Sequence, residues 1–127
     1  MTGPAGYRFR SAAVACQPWI GPLRLRVEEV LALPAGWNGE GSSPVDPSAV
    51  RHALTVIDEL GSSEEPWLVP LPNGHVQLEW FAGDVVVEVP PAGSTVRVFV
   101  GDRPAIEPAL GERLFELGAT IVGRRLP

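Results

Sequence analysis

Between Leu23 and Leu31 the apolar positions settle into a helical period: Leu23, Val27, Val30 and Leu31 share one side, and Arg24, Glu28 and Glu29 take the other. Pro22 suits a first helical turn and Pro34 a stop, so the pattern predicts a helix over about 22–33. The run Leu23-Arg24-Leu25-Arg26-Val27 also alternates strictly, which leaves a strand as the competing element. A second helix over about 47–60 opens with Asp46 as N-cap and Pro47 in the first position. Val50, Ala53, Leu54, Ile57 and Leu60 form its stripe, and Gly61 ends it. A third, over about 104–121, carries Ile106, Leu110, Leu114, Leu117 and Ile121.

From Trp67 to Val100 the period changes to two, and hairpin loop lengths then decide which residues face each other. A two-residue turn at Asn73-Gly74 pairs Leu71 with Val76, Val69 with Leu78 and Trp67 with Trp80. A two-residue turn at Ala82-Gly83 pairs Trp80 with Val85, Leu78 with Val87 and Val76 with Val89. A four-residue loop at 91–94 pairs Val89 with Val96, Val87 with Val98 and Val85 with Val100. Three separate turn choices thus put all these apolar residues on one face, which needs a helix layer as cover. The expected fold class is α+β: a four-stranded antiparallel meander (about 67–71, 75–81, 84–90 and 95–100) with the helices packed on one face. One domain spans 1–127, with 1–20 as an irregular N-terminal arm in which a short strand at Tyr7–Val14 is the only regular element suggested. Residues 34–48, rich in Gly and Pro around Trp37, form a loop whose Trp is expected to anchor on the core.

At 127 residues the chain has room for one modest core, and 45% hydrophobic with 20% charged residues is the balance of a folded, soluble chain. No apolar run approaches the roughly 18 residues of a membrane span, so no membrane association is expected. The formal charge of −5 argues against nucleic acid as a partner. The charge is uneven: Arg8, Arg10, Arg24 and Arg26 occupy the first 26 residues without an acid, which reads as solvated side chains on a leader, with an arm lying against an acidic body as the alternative. All basic residues are Arg, a codon bias of a GC-rich genome. The single Cys16 cannot form an internal disulfide and reads as a buried or half-buried thiol, which suits a reducing cytoplasm.

The outer sheet face receives His75, Gln77, Glu79, Phe81, Val86, Glu88, Arg97 and Phe99, with Glu88 directly across from Arg97. Phe81, Val86 and Phe99 make a small apolar patch, either covered by the N-terminal segment or used for interaction. Strand 67–71 is blunted by Pro66, Pro70 and Pro72, whereas the 95–100 edge lacks proline, so any sheet-mediated homodimer is expected there.

Catalytic chemistry is sparse. His52 and His75 both sit at positions ordinary for surface histidines; His75 and Glu79 share a strand face as the one conceivable acid/base pair, without an oxyanion or phosphate cradle. Gly36, Gly39 and Gly41 lack the Lys-Ser/Thr of a phosphate loop, and no converging carboxylate or Cys/His cluster offers a metal site.

The stretch Leu33-Pro-Ala-Gly-Trp37-Asn-Gly-Glu-Gly41, the Pro-led helix after it and Asn73-Gly-His-Val76-Gln-Leu-Glu-Trp80 together resemble a set of small bacterial proteins. That set shares a Gly-Trp-Asp/Asn-Gly loop and a Gly-x-Val/Ile-x-Leu-Glu-Trp strand; the likeness covers roughly residues 30–90. Asn38 stands where Asp is common, so a role needing a carboxylate there is not carried over. The resemblance implies a small bacterial, cytoplasmic protein and brings no established activity.

These readings favour a non-enzymatic protein-binding module or accessory subunit of antitoxin, immunity, inhibitor or adaptor type. Its partner is a protein met through Glu79, Phe81, Val86, Glu88, Arg97 and Phe99, with no catalytic residue, metal or cofactor. The alternative is a small enzyme or ligand-binding domain with its site at Trp37, Asn38, Glu40 and His75.

Overall fold

A computed structural model of the chain describes residues 6–61, 63–80 and 85–100, together with the backbone of 103–104. Its elements are α1 (Ala12–Ala15), α2 (Ile20–Leu31), α3 (Pro47–Leu60), β1 (Trp67–Pro70), β2 (Val76–Trp80), β3 (Val85–Val89), β4 (Arg97–Val100) and β5 (Arg103–Pro104). The strands form one antiparallel sheet in chain order. The architecture is the expected α+β meander, with α2 over β1 and α3 over β2 and β3. The third expected helix, 104–121, lies outside the described residues apart from residue 104, which belongs to β5.

Local chemistry accounts for α3. The Asp46 carboxylate accepts from Ser48 N–H at 2.8 Å, Pro47 fills the first position, and Gly61 ends the helix at φ 60°. Its stripe of Val50, Ala53, Leu54 and Ile57 packs with Leu23, Val27 and Val30 of α2 onto Leu68, Val76, Leu78, Trp80, Val85, Val87, Val89, Val96 and Val98. The pairings Val76↔Val89, Leu78↔Val87 and Trp80↔Val85, then Val87↔Val98 and Val85↔Val100, match the sequence pattern. The Ala82-Gly83 turn itself, with Phe81, lies outside the described residues.

The first hairpin differs by one residue. Leu68 faces Leu78, and Trp67 faces Glu79 instead of Trp80. Leu71 N–H donates to His75 O (2.9 Å) and Gly74 N–H to Leu71 O (3.1 Å), so the loop is the three residues 72–74, with Gly74 at φ 90°. Pro72 decides this: its fixed φ suits the second position of a type I turn, which then needs a left-handed residue after it, and Gly74 supplies that. The slip turns Leu68 inward and moves Trp67 and Val69 to the outer face, leaving Val69 and Leu71 half-buried.

Gly74 is also held from outside the hairpin. Its carbonyl accepts from Asp46 N–H and Pro72 O from Ser43 N–H, both at 2.8 Å, and a Cβ on Gly74 would lie 3.1 Å from Pro44 O. Gly74→Ala is expected to cost about 1–3 kcal/mol, from the positive φ and this contact together. Urea unfolding checks the size, and a loss no larger than that of an exposed surface change would contradict it.

The edges also differ from expectation. β5 pairs with β4 at Phe99 and Val100, so the chain itself covers that end of the edge expected to be open for a homodimer. On β1 the pairing of Leu71 with His75 sets an alternation in which the backbone N–H and C=O groups of residues 66, 68 and 70 point away from β2. Pro66 and Pro70 have no N–H to offer, and Leu68 O already accepts from Arg26 Nε at 2.9 Å.

The N-terminal segment runs along α3, on the side away from the outer sheet face. Tyr7 Oη donates to Asp58 Oδ2 (3.0 Å), Arg10 N–H to the same oxygen (2.8 Å) and Ser11 N–H to Oδ1 (2.8 Å). Ser11 caps α1, a helix where a strand at Tyr7–Val14 was expected, and Val14 enters the core. Cys16 is exposed, contrary to the buried thiol expected.

Candidate functional site

Because both long helices lie on one side of the sheet and the N-terminal segment follows α3, the outer face has no cover among the described residues. The register arranges it in rows. Trp67, Glu79, Val86 and Phe99 run across β1 to β4, and Val69, Gln77, Glu88 and Arg97 form the next row. Trp67 is 48% exposed, while Val69, Val86 and Phe99 are half-buried by their neighbours.

The polar groups of this face are tied to each other. Arg97 lies 3.6 Å from Glu88 and stacks over Phe99 at 5.5 Å from its ring centre. Gln77 Nε2 donates to Glu79 Oε1 at 2.7 Å, and Arg26 reaches over from α2 to stack on Trp67 at 5.3 Å. A guanidinium stacked on an aromatic ring is attracted to the ring's face and still presents N–H donors at its edge, which here meet Glu88 and Glu29.

The face ends in a cleft of about 610 Å³ between the 72–74 and 91–94 loops, lined by Leu71, His75, Glu88, Pro90, Thr95 and Arg97 among others. Asn73 Nδ2 lies 3.2 Å from His75 Nδ1, so the amide donates and the imidazole proton resides on Nε2. His75 is therefore oriented by an amide, with Glu88 committed to Arg97 and Glu79 to Gln77. No hydrogen bond joins His75 to Ser94 or Thr95, or to a carboxylate, among the described residues, and the nucleophile–base pairing of covalent catalysis is not assembled here.

His75 is separated from the residues grouped with it in the sequence reading. Trp37 Nε1 donates to Ser43 O (3.2 Å), Asn38 N–H to Ser42 Oγ (3.3 Å) and Glu40 N–H to Asn38 Oδ1 (2.9 Å). The loop spends its polar groups on itself, and none of Trp37, Asn38 and Glu40 lines the cleft that holds His75. Trp37 is half-buried on its own loop and is not part of the core cluster, so the expected core anchor is not formed. His52, read as a surface residue, is buried at 7% exposure and donates from Nδ1 to Pro90 O at 2.8 Å, tying α3 to the end of β3.

Val86, Glu88, Arg97 and Phe99 stand together on the outer face as the register requires, with Glu79 beside them; Phe81 lies outside the described residues. Trp67 and Val69 join them unannounced. The signal that places them is Pro72 in front of Asn73-Gly74.

Among the described residues no helix is long and apolar enough to cross a membrane, and no group of His, Cys, Asp and Glu is placed to hold a metal ion. No family model matches the chain, and neither does any curated protein or solved structure.

Proposed function

We propose that the chain is a non-enzymatic binding module of the bacterial cytoplasm that docks a protein partner on the outer face of its sheet, in the manner of an antitoxin, immunity protein, inhibitor or adaptor. The observation that carries this is the row Trp67–Glu79–Val86–Phe99, with Trp67 exposed, Val86 and Phe99 half-buried, and Glu88 and Arg97 in the next row, on the face opposite the packing of α2 and α3. Aromatic anchors set among charged side chains are the composition of a protein-recognition surface. The blocked β1 edge and the pairing of β5 with β4 make side-chain contact across the face the favoured mode over strand addition. The acidic balance of the chain favours a basic partner.

Trp67→Arg and Phe99→Asp test the reading. Tagged wild-type protein recovered from its host is expected to bring one stoichiometric partner, and each variant to weaken that complex by about 30-fold or more, the loss of one interface anchor. Melting temperature is expected to hold. Retention of the partner by both variants, or isolation of the wild type alone, would sink the proposal, as would collapse of the fold in both variants.

A further inference from the structure

The six arginines between residues 6 and 100 divide into two groups. Arg24, Arg26 and Arg97 each face a carboxylate, Glu28, Glu29 and Glu88, at 3.7, 3.4 and 3.6 Å. Arg8, Arg10 and Arg51 have no carboxylate within ion-pair distance among the described residues, and all three line one cleft of about 710 Å³ between the N-terminal segment and α3. Arg51, Thr55 and Glu59 follow one another at four-residue spacing along α3, which sets them on one side of the helix.

Two acids also line the cleft, Asp58 and Glu59. Both Asp58 oxygens are occupied by Tyr7 O–H and by the N–H groups of Arg10 and Ser11, so its lone pairs are satisfied inside the protein while its charge remains. Glu59 is exposed on the rim. Three guanidinium groups against two carboxylates leave an excess of one positive charge, so an anion is the expected occupant, and three guanidinium forks suit the three free oxygens of a phosphate monoester better than the two of a carboxylate. Ser11 Oγ already accepts from Val14 N–H, so its own proton is available to an anion. Guanidinium forks bind phosphate oxygens bidentately, and a cleft of several hundred Å³ has room for the rest of a small molecule.

We infer that this cleft binds a small phosphate-bearing molecule, its phosphate held by Arg8, Arg10 and Arg51. A polyanion is the poorer fit, because the net charge of −5 repels an extended phosphate chain that reaches beyond the cleft. The site is separate from the outer sheet face and does not depend on it.

The test is an NMR titration of the full chain with inorganic phosphate, ribose 5-phosphate and ribose, following the amide signals of Tyr7, Ser11 and Thr55. Saturable shifts are expected with both phosphate probes and none with ribose; tighter binding of the ester would mark an esterified ligand, and equal binding free phosphate. Arg51→Gln and Arg8→Gln are expected to weaken binding about tenfold each, as for loss of a charge-assisted contact, whereas Arg24→Gln leaves it unchanged. The inference is overturned by absence of saturable shifts at millimolar phosphate, by equal binding of ribose, or by an equal effect of Arg24→Gln. It is also overturned if a single-stranded oligonucleotide binds where both small phosphates fail.

Discussion

Asp58→Ala is expected to free residues 7–11 from α3 and to lower stability by about 3 kcal/mol, since hydrogen bonds to a charged acceptor contribute about 1.5–3 kcal/mol each and orphaned donors regain only part of that from water. Asp58 is 8% exposed and accepts from Tyr7, Arg10 and Ser11. Two of those donors are backbone N–H groups just before α1, so the loss propagates to Val14, which α1 places in the core. A fall in melting temperature of roughly 10 °C, with rapid amide exchange confined to the segment before α2, is the expected reading. A change within error would mean that the segment is held by its apolar contacts alone. The hydroxyl of Tyr7 adds a pH dependence. Burial holds its ionisation above the usual value of 10.0, and Asp58 reinforces the shift against the opposing effects of Thr55 and Arg10. A group whose folded value is raised contributes stability that is complete below its unfolded value and lost as pH rises through the folded one. The Tyr7 contribution is therefore intact at neutral pH and disappears above about pH 10.

Trp80→Ala carries the other large effect, about 3–5 kcal/mol, the range for removing a buried aromatic and leaving a cavity. Trp80 has no exposed surface and sits at the end of β2 across from Val85. Small domains have a total stability of about 5–15 kcal/mol, so the variant is expected to be partly unfolded at 37 °C. Its Nε1 has no hydrogen-bond partner among the described residues, so Trp80→Phe removes volume without breaking a hydrogen bond among them. That variant is expected to lose less than half as much. Urea unfolding followed by far-UV circular dichroism measures both, and near-equal losses would show that the indole nitrogen has an energetic role.

What could be read from the chain follows from how local each signal is. α3 was legible to the residue because its cap, its proline and its terminating glycine are all encoded within the element. The β2–β3–β4 register was legible because valines at alternating positions have only one arrangement that buries them all, which also set Val86, Glu88, Arg97 and Phe99 on the outer face. β1 was misplaced through a single residue, Pro72, whose preference for a type I turn outweighs the Asn-Gly dipeptide that follows it. Trp67 and Val69 were lost from the candidate site by the same slip. Asp58 was passed over although it lies four residues after Leu54 on the apolar stripe, where a carboxylate requires donors from elsewhere in the chain. Those donors lie 47 to 51 residues away in sequence, and no local pattern announces them. The arginine cleft was half visible as an acid-free N-terminus; its third member, Arg51, belongs to a helix that only the fold brings alongside.

Pro66 and Pro70, before and at the end of β1, bear on behaviour at high concentration. Growth of a cross-β ribbon from a sheet edge requires a donor at every second residue of the exposed strand, and this edge offers only Leu68 N–H, flanked by two residues with none. Pro66 is buried and Pro70 half-buried, so the same two residues that pack in the folded monomer also deny the edge the donors that a growing ribbon needs.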